Sequence, residues 1–181
     1  MSAHTIWTAA DLTVPAVDVT AMKAHLREDN PDQDAVIDAM LRAATRTVEM
    51  FTQRLIVRRA AVLRTQSLPC GRDGLRLPGG AVDQITSMTI EGAAFTAFEI
   101  IGASPAIMVP TEDWPVVTQE GYPVAVNYTV GPLVASADLL AAVKLIAAEL
   151  YERRSNASEM SISEVPLSAK ALMMPHRIMP K

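Results

Sequence analysis

The sequence is poor in residues that form disulfides, ligate metals or attract phosphate. Its 181 residues include one cysteine, Cys70, so an internal disulfide is excluded and a reducing compartment is favoured. The three histidines, His4, His25 and His176, lie far apart, and no closely spaced His or Cys pair predicts a metal site. A net charge of -4 argues against a protein whose main task is to bind nucleic-acid phosphates.

Patterns typical of membrane insertion and secretion are also missing. The most apolar run, Leu139 to Leu150, contains Lys144 and Glu149, so no bilayer-spanning helix is predicted. The first residues have neither the basic nor the apolar region of a signal peptide, and we therefore expect an intracellular protein when it is made.

No pattern of catalytic residues is found. Neither Gly71-x-x-Gly74 nor Gly79-Gly80 is followed by the Lys-Ser/Thr pair of a phosphate-binding loop, and no Gly-x-Ser-x-Gly motif occurs. Cys70 has no recognisable base nearby. We therefore expect no catalytic residue, no cofactor, no metal ion and no enzymatic activity.

A long amphipathic helix is the clearest element that is present. Asn30-Pro31-Asp32 supplies its start, because proline and acidic residues are favoured in a first helical turn. Spacings of three and four residues place one apolar stripe along it, and Asp38, Arg42, Arg46 and Glu49 are expected to face water or a partner. The stripe consists of Ile37, Met40, Leu41, Ala44, Val48, Phe51 and Leu55.

The remaining pattern predicts an α+β fold, mainly α: an antiparallel helical bundle with a small antiparallel β-sheet inserted between the long helix and the C-terminal helix. Helices are expected at about 18–28, 32–55 and 136–154, and the β-rich insertion at about 57–131. Strict alternation from Val124 to Val130 marks its clearest strand, and Glu91-Gly92 marks a hairpin turn. Residues 1–17 and 103–121 are expected to be irregular. We assign 1–154 to a single domain and 155–181 to a linker and tail.

Two surfaces are candidates for contact with other molecules. One is an arginine surface made of Arg42, Arg46, Arg54, Arg58 and Arg59. It is either solvated, with pairing to Asp38 and Glu49, or in contact with an acidic neighbour such as another copy of the chain. The other is the C-terminal tail, whose apolar and methionine-rich residues either fold back onto the core or insert into a partner. These tail residues are Leu167, Leu172, Met173, Met174, Ile178 and Met179.

Several segments, in this order, resemble the head–tail connector family of tailed phages. They are AATRTVEMFTQRLI, Leu77-Pro78 before VDQITSMTI, VNYTVG, LLAAVKLIAAELYERR and VPLSAKALMMPHR. Members of that family are adaptor or head-completion proteins, often labelled DNA-packaging proteins, and versions occur in gene transfer agents. Gln53 stands where the family often has glycine, and residues 103–121 match no part of the family pattern.

The resemblance implies a structural adaptor that is synthesised in the bacterial cytoplasm and located in the head–tail neck of a virion or phage-like particle. Its expected partners are the portal protein, a stopper or tail-terminator protein below, and eleven further copies in a twelve-fold ring. Double-stranded DNA would pass through the ring without being specifically bound, and no membrane is involved. The portal-docking residues would be Leu167, Leu172, Met173, Met174, Pro175, Arg177 and Ile178, and the arginine surface would join neighbouring subunits. The alternative is a small non-catalytic domain that binds a ligand or peptide or has a regulatory role.

Overall fold

The computed structural model describes residues 4–102, 104–153 and 166–178. The chain divides into two compact units. The sheet unit comprises Met1–Asp11 and Arg58–Leu133, and the helix unit comprises Leu12–Val57 and Val134–Lys181. Whether residues 1–154 act together as one connector domain stays a prediction, because compactness within each unit does not measure it.

The predicted fold class is wrong. The described residues contain four α-helices and eight strands in two antiparallel sheets, so the fold is mixed α/β and not a helical bundle with a small sheet. The error comes from short strands with little sequence alternation. One lies in the N-terminal residues that were expected to be irregular, and another lies inside the expected 103–121 loop.

The larger sheet of the sheet unit has five strands, β1 (Thr5–Ala9), β2 (Arg59–Thr65), β4 (Val82–Ile90), β5 (Ala93–Ala94) and β8 (Val124–Val130). Their order across the sheet is β1-β2-β8-β4-β5. The central strand, β8, buries Val124, Val126, Tyr128 and Val130, as its alternation predicted. Because opposite residues of paired strands share a face, the buried Leu63 of β2 lies beside Val126.

The predicted hairpin turn at Glu91-Gly92 is confirmed, since Ile90 of β4 pairs with Ala93 of β5. Both turn residues have positive φ, 52° for Glu91 and 83° for Gly92. Two successive positive φ values are typical of the type I′ turn that suits the twist of a two-residue hairpin. The returning strand is only two residues long, so the chain then leaves this sheet.

A second sheet has three strands, β3 (Leu75–Leu77), β6 (Phe98–Ile101) and β7 (Ala106–Pro110), in the order β3-β7-β6. The central strand, β7, buries Ala106 and Met108. Its sequence did not predict a strand because prolines lie within and around it.

The helix unit contains the three predicted helices, here α1, α2 and α3, and a short fourth helix, α4. Asp18 caps α1 by accepting a hydrogen bond of 2.7 Å from the Ala21 N–H. Lys23 pairs with Asp34 at 2.7 Å and so connects α1 to the start of α2. The bounds are α1 (Val19–Leu26), α2 (Asp34–Thr52), α3 (Ala137–Arg153) and α4 (Leu167–Met173), with a single 3-10 turn before α2 and another after α4.

The C-terminal end of α2 differs from the prediction. The helix stops at Thr52 because Gln53 is left-handed, with φ 56°, the conformation that glycine adopts at no steric cost. Glu49 was expected to face water, but it is buried and accepts a hydrogen bond of 3.0 Å from the Ile56 N–H. Its carboxylate therefore satisfies a backbone donor of the segment that follows the helix.

Candidate functional site

The described part of the C-terminal tail is folded onto the helix unit. A helix as short as α4 is unstable in isolation, so its conformation depends on what it contacts. Ala169 and Met173 are completely buried in the same core cluster as Leu41 and Val48 of α2, and Leu172 packs against that cluster.

Three polar contacts hold the residues that follow α4. The Ile178 N–H donates a hydrogen bond of 2.9 Å to the carbonyl of Thr52, the last residue of α2. The Arg177 guanidinium lies 5.3 Å from the centre of the Phe51 ring. A positive charge is favourable there, both over the ring face and near the negative end of the helix dipole. His176 lies 3.3 Å from the Asp138 carboxylate.

The predicted docking residues therefore fall into two groups. Met173 is buried, and Leu172 and Ile178 are half-buried, so these three serve the fold of the helix unit in this conformation. Leu167 and Met174 are 81% and 55% exposed, and Pro175 and Arg177 are exposed as well. Docking of this outer group to a portal stays a prediction. Met179 lies outside the described residues, as do residues 154–165 of the expected linker.

The predicted arginine surface is divided between the two units. Arg42, Arg46 and Arg54 belong to the helix unit, whereas Arg58 and Arg59 belong to the sheet unit. Arg42 forms a salt bridge with Asp38 one turn earlier on α2, and Arg58 forms one with Asp83 of β4. Arg59 is buried, while Arg46 and Arg54 are half-buried. A role in subunit contact stays a prediction for all five.

Sequence reasoning missed an apolar groove on the helix unit. Met40 was assigned to the core stripe, but it lines this groove on the outer side of α2. The groove is open to solvent and has a volume of about 540 Å³. The spacing of four between the α2 alanines is the sequence signal that could have revealed it. The lining residues are Ala35, Val36, Ala39, Met40, Ala43 and Leu150.

Sequence reasoning also left open the role of residues 111–121, which form an ordered loop in the sheet unit. The buried Trp114 fixes one part, because its indole N–H donates a hydrogen bond of 2.7 Å to the Asp73 carbonyl. The Glu91 carboxylate fixes another, since it accepts hydrogen bonds of 2.9 Å from the Thr118 hydroxyl and 2.7 Å from the Gln119 N–H.

These hydrogen bonds have an electrostatic consequence for Glu91. Donors from Gln119 and Thr118 stabilise the charged carboxylate and hold the pKa of Glu91 below its ordinary value. Between the two attachment points, the loop presents Val116, whose side chain is 84% exposed.

Among the described residues, no three His, Cys, Asp or Glu side chains form a group suited to a metal ion. Cys70 is exposed. None of the described helices is both long enough and apolar enough to cross a membrane.

The fold is similar to that of chains in solved particle structures. One, the neck of an empty GTA particle computed with C6 symmetry, matches with a TM-score of 0.77 at 23% identity, over 100% of this chain and 97% of that chain. The neck of a native GTA particle computed with C12 symmetry gives a TM-score of 0.75, at 23% identity and with 100% and 97% coverage. The virion of a native gene transfer agent (GTA) particle gives 0.66, also at 23% identity and with 100% and 97% coverage. The sequence matches no protein-family model and no curated protein.

Proposed function

We propose that this chain is a structural, non-enzymatic subunit of the neck of a phage-like particle, where it connects the DNA-filled head to the tail. The observation that carries the proposal is the similarity in fold to the neck chains, which extends over nearly the full length of both. The ordered motifs of the sequence, which resemble the connector family, support it independently. Because the similar structures come from gene transfer agent particles, we favour such a particle over a phage.

In this proposal the chain is an adaptor that forms a ring under the portal and lengthens the DNA channel. A stopper or tail-terminator protein would bind below the ring. Twelve copies are expected from the family, and both C6 and C12 symmetry are compatible with that number. The net charge of -4 suits a channel through which DNA must move without adhering.

The outer group of tail residues is the proposed contact with the portal. Ala169 and Met173 of the same segment are buried in the core of the helix unit. The outer group is therefore already held in place, and little conformational entropy is lost when it binds the portal. Leu167 and Met174 are large apolar side chains with exposed fractions of 81% and 55%, suited to an apolar pocket on the portal.

The test replaces the gene in the host that makes the particle with a variant carrying Leu167→Asp and Met174→Asp. We expect filled heads without tails in electron micrographs, and a fall in DNA-delivering particles of about tenfold or more, because two buried carboxylates are costly at an interface. Ser168→Asp, at an exposed position of α4, is the control for the effect of adding a carboxylate to this segment. The control should assemble normally.

Two outcomes would contradict different parts of the proposal. Normal assembly of the double variant would reject the docking role of the tail. Complete, DNA-delivering particles from a host that lacks the gene altogether would reject the connector function itself.

A further inference from the structure

Helix α2 has two apolar sides, and the described residues of the helix unit cover only one of them. The covered side buries Ile37, Leu41, Ala44 and Val48. The other side lines the groove described above together with Leu150 of α3, and Val36 and Leu150 are 38% and 39% exposed. A helix that is apolar on opposite sides is normally buried on both, so the open side indicates a partner.

Positive charge borders this groove. Arg42 follows Ala39 by three residues and Arg46 follows Ala43 by three, spacings that bring side chains together on one side of a helix. Arg42 is paired with Asp38, but the pair lies near the surface and contributes little, so a new partner can replace it. A fitting partner therefore combines an apolar projection with negative charge.

The chain itself carries such a projection on its sheet unit. Val116 is 84% exposed in the 111–121 loop, and three exposed acidic residues, Glu112, Asp113 and Glu120, lie in the same loop. Trp114 and the Glu91 carboxylate hold the loop in place, so little conformational entropy remains to be lost on binding.

We propose that the Val116 loop of one copy inserts into the α2 groove of the next copy, with its carboxylates facing Arg42 and Arg46. This inference rests on the proposed ring and identifies the acidic neighbour of two of the predicted arginines. A second copy is the occupant because the two surfaces match in both charge and apolar character. The groove and the loop are different surfaces, so the contact is head-to-tail, which is the geometry that a closed ring requires.

A charge exchange tests the electrostatic part. The variant with Arg42→Glu and Arg46→Glu should yield about tenfold fewer complete particles, because like charges then face each other across the interface. Adding Glu112→Lys and Asp113→Lys to the same chain should restore the yield to within about twofold. Arg64→Glu, at an exposed position of β2, is the control for reversing the charge of a surface arginine and should have no effect. Failure of the added lysines to rescue would overturn the pairing.

A cross-link tests the apolar part without relying on particle yield. In a Cys70→Ser background, Val116→Cys and Ala39→Cys are introduced together, and purified particles are oxidised with diamide. We expect a ladder of covalent oligomers of this chain, which neither single cysteine should produce. Monomers alone, or a disulfide mapped within one chain, would overturn the inference.

The two experiments separate this inference from the function on which it rests. If microscopy finds a ring of this chain in the neck but neither ladder nor rescue occurs, the Val116 loop does not occupy the groove and only the inference fails. If the chain is absent from purified particles, the proposed function fails as well.

Discussion

Removing the Met173 side chain should release the C-terminal segment from the helix unit. Met173 is fully buried, whereas its neighbour Met174 is 55% exposed, so the two positions form a matched pair. A buried Met→Ala substitution costs about 2–5 kcal/mol through lost apolar burial and the cavity that remains. We expect Met173→Ala to lower the free energy of unfolding of the helix unit by about 3 kcal/mol, and Met174→Ala by less than about 0.5 kcal/mol.

The loss of stability in Met173→Ala should be measurable at a single amide of the C-terminal segment as well as in the unfolding of the whole helix unit. Because α4 has only seven residues, we expect it to detach from the helix unit before the other helices unfold. Hydrogen exchange at the Ile178 N–H measures this detachment directly, since that N–H donates a hydrogen bond to the Thr52 carbonyl at the end of α2. A cost of about 3 kcal/mol corresponds to roughly a hundredfold faster hydrogen exchange at that amide.

Urea unfolding and amide hydrogen exchange of the purified variants provide the measurements. Equal effects of Met173→Ala and Met174→Ala on both would refute the reasoning, because burial is the property that distinguishes the two positions. Unchanged hydrogen exchange at Ile178 would refute the idea that Met173 holds the C-terminal segment against the helix unit, even if the overall stability fell.

Three further predictions concern the backbone and one carboxylate. Gln53→Gly should raise the free energy of unfolding by up to about 1 kcal/mol in urea titrations, because Gln53 has φ 56° and glycine removes that strain; a loss of stability would contradict this. Gly79→Ala should be more destabilising than Gly92→Ala by roughly 1–3 kcal/mol, since both have positive φ but only at Gly79 would a Cβ lie 2.9 Å from a core side chain. Equal losses of stability in the two variants would show that the positive φ, and not the close contact with a core side chain, determines the effect. Because the folded-state pKa of Glu91 is lowered, its stabilising effect is present above the ordinary value of 4.5 and is lost as the pH falls through the folded value. The unfolding midpoints of wild type and Glu91→Gln should therefore converge in acid, and a constant difference would contradict the assignment.

Elements with a strong period were predictable from the sequence. The strand from Val124 to Val130 and the core side of α2 combine regular spacing with burial on one side only. Glu49 was misplaced because a carboxylate that accepts a backbone N–H looks, in sequence, like any surface acid. Strand β1 was missed because its position depends on pairing with β2, a distant partner, and not on alternation of its own.

The candidate sites were predictable only in outline. Composition revealed an apolar tail, but only the fold distinguishes the buried Met173 from the exposed Met174. The second apolar side of α2 was merged with the first, since Met40 lies close to both in a helical projection. The fixed conformation of the 111–121 loop was not predictable, because Trp114 and Glu91 hold it through hydrogen bonds between residues distant in sequence.

The division of the helix unit into two stretches of chain has a consequence for biosynthesis. A ribosome makes α1 and α2 first, then nearly all of the sheet unit, and only afterwards α3 and α4. The apolar residues of the nascent α2 that pack against α3 and α4 therefore remain exposed while the sheet unit is translated. During that time chaperones and neighbouring nascent chains can bind them. Slowed translation between β2 and α3 should lengthen that vulnerable interval and lower the yield of correctly folded protein.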